Sequence, residues 1–95
     1  MSETGLVVIY RWRVPADREA DFIASWTEGT NDLKALGAQG SCLTRGDDGT
    51  FVAIAKWPSQ EARRDAFAHS RERAPVSGVE RLSEERLTVL SNLWD

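Results

Sequence analysis

Cysteine and histidine are almost missing from this 95-residue chain: Cys42 is its one thiol and His69 its one imidazole. A lone cysteine cannot close an internal disulfide, and the pair leaves too few ordinary ligands for a zinc site. Long apolar runs are missing as well. The run Leu6 to Tyr10, which no other exceeds, falls far short of the ~20 residues a spanning helix needs, and no basic-then-apolar leader precedes it. A cytoplasmic protein with no membrane partner is the expectation. Basic excess is also lacking: 12 Lys and Arg stand against 15 Asp and Glu, a net charge of -3 that is the wrong sign for gripping phosphate backbones. No nucleic-acid partner is expected. Nucleophile elbow, Walker loop, dinucleotide fingerprint, zincin helix and C-x-x-C pair are all absent, which removes the easily read enzyme classes.

What is present is an ordinary globular balance, 41% hydrophobic and 28% charged, so the chain is expected to fold. A chain of this size buries only about 64% of its unfolded surface, and without disulfide or metal the remaining source of stability is a partner chain.

The segment from Leu6 to Arg13 is β-branched and aromatic and ends at Val14-Pro15, which reads as a strand. Leu6, Val8, Tyr10 and Trp12 share one face; Val7, Ile9, Arg11 and Arg13 share the other, so both faces carry apolar residues. The spacing of Phe22, Ile23, Trp26, Leu33 and Leu36 predicts an amphipathic helix over about Arg18 to Leu36, with Asp17 as N-cap, a weak point near Gly29 and Asn31, and Gly37 as its left-handed stop. Gln39 to Arg45 and Thr50 to Trp57 read as strands of one hairpin around the turn cluster Gly46 to Gly49. Small residues Gly40, Ser41 and Cys42 leave space above that part of the sheet. Ser59 is placed to cap a short polar helix from Gln60 to Ala68. Beyond Pro75, the capping-box spacing of Ser77 and Glu80 predicts one or two further helical turns to about Leu82, and Leu87 to Trp94 reads as the last strand.

That order, β-α-β-β-α-β in a single domain over residues 1–95, predicts an α+β, ferredoxin-like fold: a four-stranded antiparallel sheet with both helices on one face. The uncovered face would be apolar beyond what a soluble monomer exposes, so a homodimer closed through that face is expected.

The stretches Val8 to Val14 followed by Phe22 and Trp26, then Gly40 to Gly46 and Ala55-Lys56-Trp57-Pro58-Ser59, resemble the antibiotic biosynthesis monooxygenase family of the dimeric α+β barrel superfamily. The likeness spans about Leu6 to Ser70. It implies a dimeric α+β barrel, a mainly apolar pocket between sheet and helices, a flat phenolic or quinol-like ligand, and oxidation of that ligand by dioxygen with no metal, flavin or heme. A heme-degrading branch of the superfamily uses an asparagine, a tryptophan and a histidine; Tyr10 and Ala66 stand where the first two would fall, so heme degradation is not expected.

Among individual residues, His69 has the one side chain with an ordinary pKa near neutrality and is the natural general base, or else a plain surface histidine. Tyr10, Trp12 and Trp57 are candidate walls for a planar ring, against the reading of core or interface aromatics; Trp26 reads as core and Trp94 as a cross-dimer contact. Arg11 and Arg45 offer guanidinium forks for a phenolate or carboxylate, or ion pairs within the sheet. Cys42 is a candidate pocket residue or a buried small hydrophobe. The candidate catalytic set is therefore His69, Tyr10 and Arg11, and the candidate binding set is Trp57, Trp12, Arg45 and Cys42. A module of the same fold that binds a ligand without transforming it is the alternative.

Overall fold

The computed structural model describes residues 5–71 and 73–93. The strands are β1 (Leu6–Arg13), β2 (Ser41–Arg45), β3 (Phe51–Trp57) and β4 (Glu80–Thr88), and the helices are α1 (Glu19–Ala35) and α2 (Gln60–His69). They form one antiparallel sheet in the order β2-β3-β1-β4, the ferredoxin-like arrangement.

Strand register settles which face is inside. Leu6, Val8, Tyr10 and Trp12 lie opposite Trp57, Ala55, Ala53 and Phe51. Val8 (0% exposed), Ala53 (1%), Phe51 (2%) and Trp57 (2%) are sealed under the helices. Alternation along the pleat puts Val7, Ile9, Arg11, Val52, Ile54 and Cys42 on the other face, which no helix or strand among the described residues covers. Cys42 is exposed there, where composition had left open a buried position.

The core falls into two parts. Leu6, Val8, Ala55, Trp57 and Ala66 form one, and Val14, Phe22 and Phe51 form the other. In the second, Phe22 of α1 meets Trp12 edge-on at 5.0 Å and Phe51 at 5.6 Å, so a tilted aromatic row ties the helix to the sheet.

Three boundaries differ from the sequence expectation. Asp17 does not cap α1; it lies inside a 3-10 turn, Ala16–Arg18, closed by Arg18 N–H donating to the Pro15 carbonyl at 2.9 Å. Proline fixes the geometry that starts this turn, so the chain enters the helix without a side-chain cap. The helix then runs unbroken through Gly29 and Asn31 and ends at Gly37, whose φ of +121° is the left-handed stop. The larger correction concerns the C-terminal quarter. Ser77-Gly78 is a turn, with Gly78 at φ +82° and Val79 N–H reaching the Val76 carbonyl, and a residue in that conformation cannot continue a helix.

The fourth strand accordingly starts at Glu80 and ends at Thr88, not over Leu87 to Trp94; Trp94 itself lies outside the described residues. The reason is the length of its partner. Leu6, the first residue of β1, pairs with Thr88, and the final rung is Val89 N–H to the Gly5 carbonyl. The ladder therefore takes the polar segment Glu-Arg-Leu-Ser-Glu-Glu-Arg-Leu-Thr, because backbone pairing and ion pairs satisfy it without apolar alternation. Ser59 behaves as expected, its Oγ accepting from Ala62 N–H at 3.0 Å to cap α2.

Candidate active site

Ala53 and Ala55 on β3 and Ser41 on β2 are small, so space is left between part of the sheet and the helices above it. A cavity of about 740 Å³ remains there, within the size range of small-molecule sites. Its floor includes Tyr10 and Trp12, whose rings stack 5.7 Å apart and 17° from parallel, and its apolar roof includes Trp26 and Leu33 of α1 and Phe67 of α2. The same Tyr10 and Leu33 pack against the first part of the core, and Trp12 and Trp26 against the second. The cavity is thus the gap between two separately packed ends.

Its remaining wall is basic. Arg63, Arg64, Arg71, Arg73, Arg81 and Arg86 line it against two carboxylates, Asp32 and Glu84. The pocket is mainly apolar, as the resemblance implies, through its floor and roof; the side formed by β4, α2 and the following segment is cationic, which the resemblance does not imply. Sequence reading missed this wall because the arginines alternate with acids in two stretches that look like solvated surface.

Arg63 is the structural centre of that wall. Its side chain is 14% exposed, and its Nη2 donates to the Tyr10 hydroxyl at 2.8 Å and to Glu84 Oε2 at 3.2 Å. The guanidinium also lies 4.9 Å from the Phe67 ring, a cation-π contact. Glu84 is further approached by Arg81 at 3.4 Å and Arg86 at 3.8 Å, so one carboxylate is shared by three guanidiniums. A bulge in β4 between the partners of Arg11 and Trp12 swings Arg81 inward, to 6.0 Å from the Tyr10 ring. Arg73 reaches across α1 to both Glu28 and Asp32, which hold its guanidinium pKa above the ordinary value. It passes over Gly29, where an added Cβ would meet its side chain at 3.4 Å.

The candidate residues divide clearly. Tyr10 and Trp12 come together in the cavity. The other five stand elsewhere. Trp57 is buried beside Phe67, 5.9 Å between ring centroids, and borders a second cavity of about 450 Å³ near the end of the sheet. Arg11 is on the outer sheet face, paired with Glu85, and Arg45 pairs with Glu19 and stacks 5.1 Å over Phe51. His69 is exposed at the end of α2; since the Asp65 carbonyl 2.8 Å away can only accept, Nδ1 carries the proton. Cys42 shares the outer face with Ile54. No described residue lining the main cavity is a histidine or a cysteine, and no group of three His, Cys, Asp or Glu among the described residues is placed to hold a metal ion.

Neither a family model nor a curated protein matches the sequence. Solved structures do match in fold. SnoaB, a cofactor-independent oxygenase from Streptomyces nogalater, superposes with a TM-score of 0.73 at 18% identity, over 96% of this chain and 98% of that one. A monooxygenase candidate from Shewanella loihica PV-4 gives 0.71 at 17% identity, over 97% and 99%. Rv0793 from Mycobacterium tuberculosis gives 0.66 at 17% identity, over 95% and 99%. The chain has the α+β fold of these proteins along nearly its whole length.

Proposed function

We propose that the protein is a cytoplasmic monooxygenase that oxidises an aromatic or quinol-type small molecule with dioxygen and no cofactor, working as a homodimer. The observation that carries this reading is the cavity: a stacked Tyr10-Trp12 floor and an apolar roof of a size to hold a flat ring, bounded on one side by arginines. Positive charge beside a bound phenol favours its phenolate, and the phenolate is the electron-rich species that reacts with dioxygen. Because the Tyr10 hydroxyl accepts from Arg63, its own O–H is left to donate to the ligand oxygen. In the net reaction a phenol with an open para C–H becomes a quinone: one oxygen atom of dioxygen enters that ring carbon as a carbonyl, and the other leaves as water with the ring hydrogen and the hydroxyl hydrogen. The helices then serve to orient the ring and exclude solvent. The fold shared with SnoaB supports the reaction type.

Oxygen uptake in chelator-treated buffer with a panel of anthrones and dihydroxynaphthalenes tests this. Turnover that falls at least about tenfold in Tyr10→Phe and Trp12→Ala is the expected result. No uptake above buffer with any ring substrate rejects it.

One observation favours a second reading. Both carboxylates that line the cavity among the described residues, Asp32 and Glu84, are ion-paired with arginines, so neither stands unpaired beside a bound ring. Binding without transformation would show as ligand-raised Tm with no product in mass spectrometry.

The outer face also belongs to this proposal. Val7, Ile9, Val52 and Ile54 form an apolar strip across its two central strands, flanked by Leu87 at 44% exposure. A second copy packed on this strip would close the barrel.

A further inference from the structure

The arginine wall holds more charge than the protein itself answers. The chain is net acidic, yet six of its ten arginines face one cavity that contains only two acids. Asp32 is taken by Arg73, whose other partner is Glu28. Glu84 alone answers Arg63, Arg81 and Arg86, which leaves two positive charges in excess at that corner. Arg64, also on the wall, has no ion-pair partner among the described residues. Elsewhere on the fold arginines are matched one to one, Arg11 with Glu85, Arg13 with Glu80 and Arg45 with Glu19, so the excess is local to the cavity.

We propose that the ring bound in the cavity carries a carboxylate, held by Arg81 and Arg86 beside Tyr10. This rests on the reading of the cavity as an aromatic site and narrows its substrate class to aromatic acids. Glu84 shows that these guanidiniums accept a carboxylate at this spot. Its oxygens take Arg63 by Oε2 and Arg81 by Oε1, and Arg86 reaches only 3.8 Å. Arg81 and Arg86 are about half exposed, at 57% and 55%, so their forks have donors unspent on Glu84. Arg81 lies 6.0 Å from the Tyr10 ring, so an acid group on a ring stacked at the floor falls within its reach. Arg63, by contrast, is held between Tyr10 and Glu84 and positions the phenol.

The test uses two stable probes that differ by the acid group, 2-naphthol and 3-hydroxy-2-naphthoate, with Kd measured by calorimetry in low and moderate salt. The carboxylate should bind about tenfold or more tightly than the naphthol, with the advantage shrinking as salt rises. Arg81→Gln and Arg86→Gln should each lose most of that advantage, with affinity for 3-hydroxy-2-naphthoate falling several-fold further than affinity for 2-naphthol. Both side chains are about half exposed, and circular dichroism checks that the variants fold. Equal affinity for the two probes, or a preference that survives the double variant, overturns the proposal and leaves the aromatic site standing. Failure of both probes to bind removes the two together. A carboxylate preference with no oxygen uptake by any substrate upholds the proposal and rejects the oxygenase.

Discussion

Arg63 donates to the Tyr10 hydroxyl at 2.8 Å across the gap between α2 and β1, so a strand residue and a helix residue 53 positions apart are joined at the edge of the cavity. The bond is charge-assisted and part-buried, and its loss is therefore felt in both stability and ring binding. Arg63→Met should cost about 1–3 kcal/mol in urea unfolding, because Glu84 loses its nearest partner and Tyr10 its donor. Tyr10→Phe should cost about 1 kcal/mol, and the double variant less than the sum. Additive losses would mean that the two side chains do not act on one another.

Gly29 in the middle of α1 sits under Arg73, and an added Cβ there meets only that flexible side chain, at 3.4 Å or more. Gly29→Ala should stabilise the fold by up to about 1 kcal/mol through helix propensity, with Cm rising at constant m. Gly29→Leu should instead displace Arg73 from Glu28 and Asp32 and lower stability. If alanine also destabilises, the close approach of Arg73 outweighs backbone entropy.

Asp48 organises the hairpin between β2 and β3, accepting from Thr50 N–H at 3.0 Å and from its hydroxyl at 2.7 Å. These bonds, the hydroxyl first, hold its pKa below the ordinary 3.8. The native state therefore favours the ionised form, so the contribution is full above the ordinary value and is lost as pH falls through the lowered one. Asp48→Ala should be less stable than the parent at neutral pH, with the gap closing only below the usual carboxylate range. A gap independent of pH down to strong acid would contradict this.

Ile54 lies opposite Ile9 on one side and Cys42 on the other, at the middle of the uncovered sheet face. A second copy on that face should give a sedimentation mass of two chains at micromolar concentration. Ile54→Lys should return it to one, since a charge at the centre of an apolar interface goes unpaired. Cys42 supplies an independent readout: its reaction with a thiol reagent should be slow in the parent and fast in the lysine variant. A parent that sediments as one chain would assign the face another role.

Four of the six regular elements were legible in the sequence nearly to the residue. β1 and β3 combine β-branched and aromatic residues with clear ends, α1 carries its apolar stripe to a glycine stop, and α2 starts at a serine that caps it. β4 was not, because its partner's length, rather than its own propensity, decides where it lies. The face of β1 that meets the helices was undecidable from alternation, since Val7 and Ile9 are as apolar as Leu6 and Val8. Packing decided it: Ala53 and Ala55 admit helices above them, and Trp57 and Phe51 close the ends.

Local chemistry in the sequence thus determined which segments become strands and helices, that no disulfide can staple them, and that Tyr10 and Trp12 share one face. Only the tertiary structure assembled the cavity wall. Arg63, Arg81 and Arg86 come from a helix and an edge strand, and nothing in their local spacing distinguishes them from ordinary solvated charges. They converge because β4 pairs with β1 while α2 packs across the same sheet, and a charge takes its meaning from what surrounds it in space.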